Sequence, residues 1–180
     1  MMVYILLAPG FEEAEALVPA DLLRRAGLET RLVSVTGESV PGARGITVTA
    51  DLALDGLDLS QADMIVLPGG NPGYQNLGKD PRVEGLVREA VRQNRWVAAI
   101  CAAPTLLGRW GLLDGKQAVC YPGMEDKLSG ARARADSGVV VDGKLITGRA
   151  AGSAFDFGLA LVEALAGPER AGEIRREVCY

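Results

Sequence analysis

The sequence predicts an α/β fold: a doubly wound, mostly parallel sheet between two layers of helices, with one small antiparallel hairpin. Three observations predict it. Apolar runs without alternation, such as Met64-Ile65-Val66-Leu67 and Trp96-Val97-Ala98-Ala99-Ile100, read as strands covered on both faces. These runs alternate with stretches of helical periodicity, the pattern of a parallel sheet with crossover helices. Turn residues close the strands, as at Pro9-Gly10 and Pro68-Gly69-Gly70.

Taken in order, Val3 to Ala8 reads as a first strand and Glu12 to Ala26 as a helix stopped by Gly27. Thr30 to Val35 and Asp63 to Leu67 are the next two strands. Residues Thr36 to Leu59 between them are the least regular stretch, with room for short strands at Ile46-Thr47-Val48 and Leu52-Ala53-Leu54. Val83 to Gln93 places Val83, Leu86, Val87, Ala90 and Val91 on one helical face. Trp96 to Ile100 is a strand, and Pro104 to Trp110 a helix whose proline suits a first turn. Val139-Val140-Val141 and Leu145-Ile146-Thr147 form a hairpin around Asp142-Gly143. A long helix over Gly152 to Leu165 and a short one over Glu169 to Glu177 finish the chain. No linker or repeat divides it, so residues 1–180 are expected to form one domain.

Composition narrows the chemistry. With 48% hydrophobic and 23% charged residues the chain has the balance of a globular protein and can bury a core. Its net charge of -4, without runs of one sign, argues against a nucleic-acid or membrane-surface binder. There is no histidine. That removes Ser-His-Asp and Cys-His hydrolases and histidine-ligated metal sites, and leaves proton transfer to Glu, Asp, Lys, Tyr, Cys or water. Cys101, Cys120 and Cys179 are widely spaced and form no CxxC, so neither a disulfide framework nor a zinc site is expected. The glycines match neither GxGxxG nor a Walker loop, so no nucleotide is expected, and no metal or other cofactor is expected either. Free thiols fit a reducing, cytoplasmic setting. The apolar start runs straight into Glu12 and Glu13 without a basic leader and reads as a strand, not a signal peptide. No run approaches the roughly 18 apolar residues of a membrane span.

In open parallel sheets ligands bind beyond the carboxyl ends of strands, near the reversal of strand order. At one such end lies Ala99-Ile100-Cys101-Ala102-Ala103. A nucleophile on a tight strand-to-helix turn needs small residues two places before and two after it, and alanines occupy both. The following helix would favour a thiolate through its amino-terminal dipole. The same spacing also fits a cysteine packed at a strand end. Gly69 and Gly70 could turn an N–H toward an oxyanion beside Cys101, together with the N–H of Ala102, or simply end a strand. Glu15 is the nearest candidate proton partner. Burial would raise its pKa, and the alternative is a carboxylate serving the helix dipole. Glu12 and Glu13, at the helix start, are expected to be solvated. Arg44 and Arg149 are candidate anchors for an anionic group, Cys120 is either core or cleft, and Cys179 is incidental.

The segment Ala98-Ala99-Ile100-Cys101-Ala102-Ala103-Pro104-Thr105 closely resembles the AAICAGPT motif of the ThiJ/PfpI superfamily, in its DJ-one (Parkinson-disease deglycase) branch. Glu12-Glu13-Ala14-Glu15 with Pro19, Asp21 and Arg24-Arg25-Ala26-Gly27 resembles that branch's opening. Val66-Leu67-Pro68-Gly69-Gly70-Asn71 with Gln75-Asn76-Leu77 resembles its VLPGGN segment. Thr147-Gly148-Arg149 through Ser153, Phe155 and Phe157 to Val162-Glu163-Ala164-Leu165 resembles its closing helix. The resemblance implies a flavodoxin-like sandwich, usually a homodimer, with Cys101 as a reactive, readily oxidised thiol. It implies Glu15 as the carboxylate beside that thiol, with the N–H groups of Gly70 and Ala102 near the sulfur. The activities it implies are a cofactor-free glyoxalase or deglycase acting on small α-oxoaldehydes such as methylglyoxal, or a redox-responsive chaperone. A cysteine enzyme like isocyanide hydratase belongs to the same superfamily and needs no histidine. One departure stands out: where many relatives have histidine in a T-H-P-like segment, this chain has Cys120-Tyr121-Pro122. Tyr121 could donate a hydrogen bond there, and the peptidase branches, which need the histidine, are disfavoured.

Overall fold

In the computed structural model, which describes residues 1–180, alternate residues of the first strand, β1 (Met2–Leu7), enter different cores. Val3, Ile5 and Leu7 join one buried cluster, whereas Tyr4 and Leu6 join another. The same separation recurs in β6 (Ala62–Leu67), where Met64 and Val66 oppose Ile65 and Leu67. It recurs again in β7 (Trp96–Ile100), where Ala98 and Ile100 oppose Val97 and Ala99. Side chains alternate across a strand, so a strand apolar at every position must be covered on both faces.

Helices supply both covers. On one face lie α1 (Glu13–Arg25), contributing Ala16, Ala20, Leu22 and Leu23, and α5 (Ala154–Glu177), contributing Phe157, Leu161 and Val162. On the other lie α2 (Gly73–Lys79), α3 (Pro81–Arg92) and α4 (Pro104–Arg109), through Leu77, Val83, Val87, Leu106 and Leu107. The remaining strands are β2 (Glu29–Ser34), β3 (Ser39–Pro41), β4 (Thr47–Thr49), β5 (Leu52–Ala53), β8 (Gln117–Ala118), β9 (Arg132–Ala133), β10 (Val139–Asp142) and β11 (Leu145–Gly148).

Seven strands form the central sheet in the order β10-β11-β7-β6-β1-β2-β5. Every neighbouring pair is parallel except β10 and β11, the hairpin expected around Asp142-Gly143. From β1 the chain moves outward to β2 and then returns to the other side of β1 as β6. The order therefore reverses at the β1/β6 boundary, which is where a ligand crevice opens in such sheets. A separate β3–β4 antiparallel pair and a β8–β9 parallel pair flank the sheet.

Most sequence-based boundaries hold within two residues. The last helix runs from Ala154 to Glu177, but Gly167 (φ 87°) breaks its geometry just before Pro168, so the two expected helical pieces are both present. Helix α2 was not expected from the sequence. It carries glycine at both Gly73 and Gly78 and buries only Gly73 and Leu77, so it lacks the apolar stripe that reveals a helix. The two-residue strands β8 and β9 are too short to leave a pattern. No helix is long and apolar enough to cross a membrane.

Candidate active site

The carboxyl end of β7 delivers Cys101 in a left-handed conformation (φ 65°), which costs a non-glycine residue roughly 1–2 kcal/mol. Backbone hydrogen bonds hold it there. Its N–H donates to the Gly148 carbonyl at 2.9 Å, and its carbonyl accepts the Tyr121 N–H at 2.7 Å. Ala99 and Ala103 are fully buried on either side, as the crowded turn requires. Pro104 starts α4, and Thr105 Oγ1 donates to the Ala102 carbonyl at 2.6 Å.

Glu15 arrives from the first turn of α1 and is 1% exposed. Its Oε2 accepts the Gly69 N–H at 2.9 Å, and its carboxylate accepts the Cys101 thiol hydrogen. Gly69 has no room for a side chain: a β-carbon there would lie 2.5 Å from Glu15 Oε2 and 2.7 Å from Cys101 Cβ. Gly70 (φ 93°) turns the chain so that its own N–H, with that of Ala102, faces the sulfur.

Burial pushes Glu15 up to about 7, against the opposing hydrogen bonds from Cys101 and Gly69. Burial, followed by the Glu15 charge and hydrogen bond, pushes the Cys101 thiol up to about 12, although the Ala102 and Gly70 N–H groups pull the other way. This corrects the expectation of a thiolate favoured by the helix dipole. Helix α4 has only six residues, and desolvation plus a neighbouring carboxylate outweigh it. Two acids sharing one site titrate as a pair, so the pair gives up its first proton near neutrality and holds the second into strong alkali.

A cleft of about 480 Å³ opens over this pair. Glu15, Cys101, Gly70, Ala102, Arg44 and Tyr121 all line it, so six of the candidates named from the sequence converge. Arg149 does not. It is exposed and does not line the cleft, whose wall at that point is Ala150 to Gly152. The Gly69 N–H serves Glu15 and not an oxyanion position. Glu13 is also corrected: it is 6% exposed, not solvated, and its Oε1 accepts the N–H groups of Arg44 at 2.8 Å and Ile46 at 3.2 Å. Asn71, which ends the VLPGGN-like segment, also lines the cleft, as do Tyr74 and Met124, which the sequence reading does not name. For Tyr74 and Met124, adjacency to the Pro72-Gly73 and Pro122-Gly123 pairs is the signal the sequence offers. Cys120 is buried in the core, its thiol pushed up to about 11 by burial, and Cys179 is exposed.

The DJ-1/PfpI family model matches residues 1–164. The chain belongs to the DJ-1/PfpI family. It is 38% identical over 174 residues to protein dj-1beta of Drosophila melanogaster, covering 96% of this chain and 93% of that one. It is 34% identical over 177 residues to the glutathione-independent glyoxalase DJR-1.2 of Caenorhabditis elegans, covering 97% and 94%. It is 41% identical over 174 residues to protein DJ-1 homolog B of Arabidopsis thaliana, covering 96% of this chain but spanning only 40% of that longer protein. Among solved structures, Drosophila melanogaster DJ-1beta superposes with a TM-score of 0.94 at 37% identity, covering 99% and 97% of the two chains. Oxidised DJ-1 of Toxoplasma gondii superposes at 0.91 with 34% identity, covering 99% and 98%. The family and the fold thus agree with the resemblance read from the sequence.

Proposed function

We propose that this protein is a cysteine-dependent glyoxalase that converts small α-oxoaldehydes such as methylglyoxal into 2-hydroxy acids. The observation that carries the reading is the Glu15–Cys101 pair, with a buried carboxyl near neutrality hydrogen-bonded to a strained thiol. A general base works best when its pKa lies near the working pH. Glu15 takes the thiol proton as the sulfur adds to the aldehyde carbon, giving a hemithioacetal. The N–H groups of Gly70 and Ala102 are positioned to hold the oxygen that gains charge. Glu15 passes the thiol proton to that oxygen and is a base again. It then removes the proton from the former aldehyde carbon and delivers it to the neighbouring carbon while the hydroxyl proton moves to the ketone oxygen, so the ketone becomes an alcohol and the hemithioacetal a thioester. Water cleaves the thioester, releasing lactate and the thiol. Every atom of this sequence comes from methylglyoxal, water and the two side chains. Tyr121 stands on the cleft wall where many relatives have histidine and can donate a hydrogen bond to substrate.

The name of the Caenorhabditis elegans relative supports the reading. Removal of glycation adducts would use the same addition step. The test is lactate formation from methylglyoxal by protein free of added thiol. Cys101→Ala and Glu15→Gln are expected to abolish it, and lactate formed by Cys101→Ala would overturn the reading.

A second reading, a redox sensor working through oxidation of Cys101, is favoured by the same two N–H groups, which suit an oxidised sulfur carrying negative charge. Under dilute peroxide it expects oxygen on Cys101 before Cys120 and Cys179. We carry a homodimer in a reducing compartment as the assembly implied by the family resemblance.

A further inference from the structure

We propose that the cleft selects carbonyl substrates bearing an anionic tail, with Arg44 reading the anion and Glu13 acting as the positioning residue that holds Arg44 over the cleft. The inference rests on the glyoxalase reading above and adds a substrate class to it.

Arg44 is the only cationic side chain lining the cleft. It belongs to the turn between β3 and β4, and its side chain is 73% exposed, with a single ionic partner, Glu12, at 3.2 Å. An exposed pair of that kind contributes little, so an incoming carboxylate can displace Glu12 or share the guanidinium with it. The backbone beneath Arg44 is fixed much more firmly than its side chain. Glu13 Oε1 accepts the N–H groups of both Arg44 and Ile46, bracketing the turn. The Phe11 carbonyl accepts the Ala43 N–H at 2.8 Å, and Ile46 returns a carbonyl to the Gly42 N–H at 2.9 Å. Gly42 packs so closely that a β-carbon there would collide with the Glu13 carboxylate.

Glu13 Oε2 is buried and has no hydrogen-bond partner. A buried oxygen left unpartnered is costly, and an apolar residue would fill this place more cheaply if packing were its only role. The carboxylate instead gives its other oxygen wholly to the turn that carries Arg44. Glu12, Glu13 and Glu15 thus divide the work at one helix start: Glu12 balances Arg44, Glu13 fixes its backbone, and Glu15 meets the thiol.

The experiment compares 4,5-dioxopentanoate, an α-oxoaldehyde with a carboxylate tail, with methylglyoxal as substrates. Arg44→Gln, an exposed change that preserves folding, is expected to lower the ratio of kcat/KM for the anionic over the neutral substrate about tenfold, through KM rather than kcat. Glu13→Leu and Gly42→Ala are expected to lower the same ratio, and Glu13→Gln to restore it, because an amide oxygen still accepts both N–H groups. An unchanged ratio in Arg44→Gln would overturn the proposal, and an unchanged ratio in both Glu13→Leu and Gly42→Ala would remove Glu13 from it. Binding of 2-hydroxyglutarate, the expected product, against lactate separates this proposal from the glyoxalase reading. If neither aldehyde is consumed, 2-hydroxyglutarate binding that weakens about tenfold in Arg44→Gln still supports the anion site. Equal binding in both proteins overturns it.

Discussion

Glu15 and Cys101 meet across the bare backbone of Gly69, which hydrogen-bonds the carboxyl at 2.9 Å while leaving no space for a β-carbon between the two side chains. Gly69→Ala therefore pushes the pair apart without removing either member. Turnover is expected to fall at least about a hundredfold, since small misplacements of reacting groups are costly. Folding stability is expected to fall by about 1–3 kcal/mol from overpacking. Lactate assays beside urea titrations measure both.

Glu15 also makes stability depend on pH. Its folded pKa of about 7 lies above its ordinary value of 4.5. Below 4.5 the carboxyl is protonated in both the folded and unfolded chains and costs nothing. Between 4.5 and 7 the unfolded chain ionises while the folded one keeps its proton, so stability falls, and it levels off above 7 once the folded carboxyl is ionised too. The loss between pH 5 and pH 8 is expected to be about 2–3 kcal/mol. Urea midpoints across that range should slope downward in the native protein and be flatter by that amount in Glu15→Gln. Parallel slopes would place Glu15 in solvent.

The left-handed backbone at Cys101 predicts an order among its replacements. Cys101→Gly fits φ 65° without strain, whereas Cys101→Ala keeps the strain and loses the thiol. The glycine variant is expected to be about 1 kcal/mol more stable than the alanine variant, the reverse of their order in ordinary structure. Chemical denaturation of the two proteins side by side measures the difference.

Thr147 supports the cleft from beneath. It is fully buried, and its Oγ1 accepts the Val119 N–H at 3.0 Å, which ties down the segment leading to Tyr121. Thr147→Val keeps the shape but leaves a buried N–H unpartnered. The expected cost is about 1–3 kcal/mol in thermal or urea unfolding.

Much of this was legible in the sequence because it was local. Continuous apolar strands announce a sheet covered on both faces, and Ala99 and Ala103 around Cys101 announce a crowded turn. Glu15 lies in the first turn after a strand that ends at the cleft, which sufficed to nominate it. What the sequence concealed depends on distant chain. Glu13 is buried because residues 42–46 fold over it, and nothing near Glu13 foretells that. Arg149 follows its strand as expected, but the residues after it, Ala150 to Gly152, line the cleft in its place. The acidity of Cys101 is concealed too, because burial beside Glu15, a residue distant in sequence, outweighs the local helix dipole. Helix α2 leaves no periodic signal because it buries one leucine and not a stripe.

The central claim is that Glu15, poised near neutrality, is the base that activates Cys101. The most direct measurement is the pH dependence of kcat/KM for conversion of methylglyoxal to lactate, in the absence of added thiol. The expected profile rises with pH through a single ionisation near 7, as the Glu15 carboxyl gives up its proton and becomes a base. A profile flat from pH 5.5 to 8.5 would contradict the claim, and so would a rise centred at the ordinary carboxylate value.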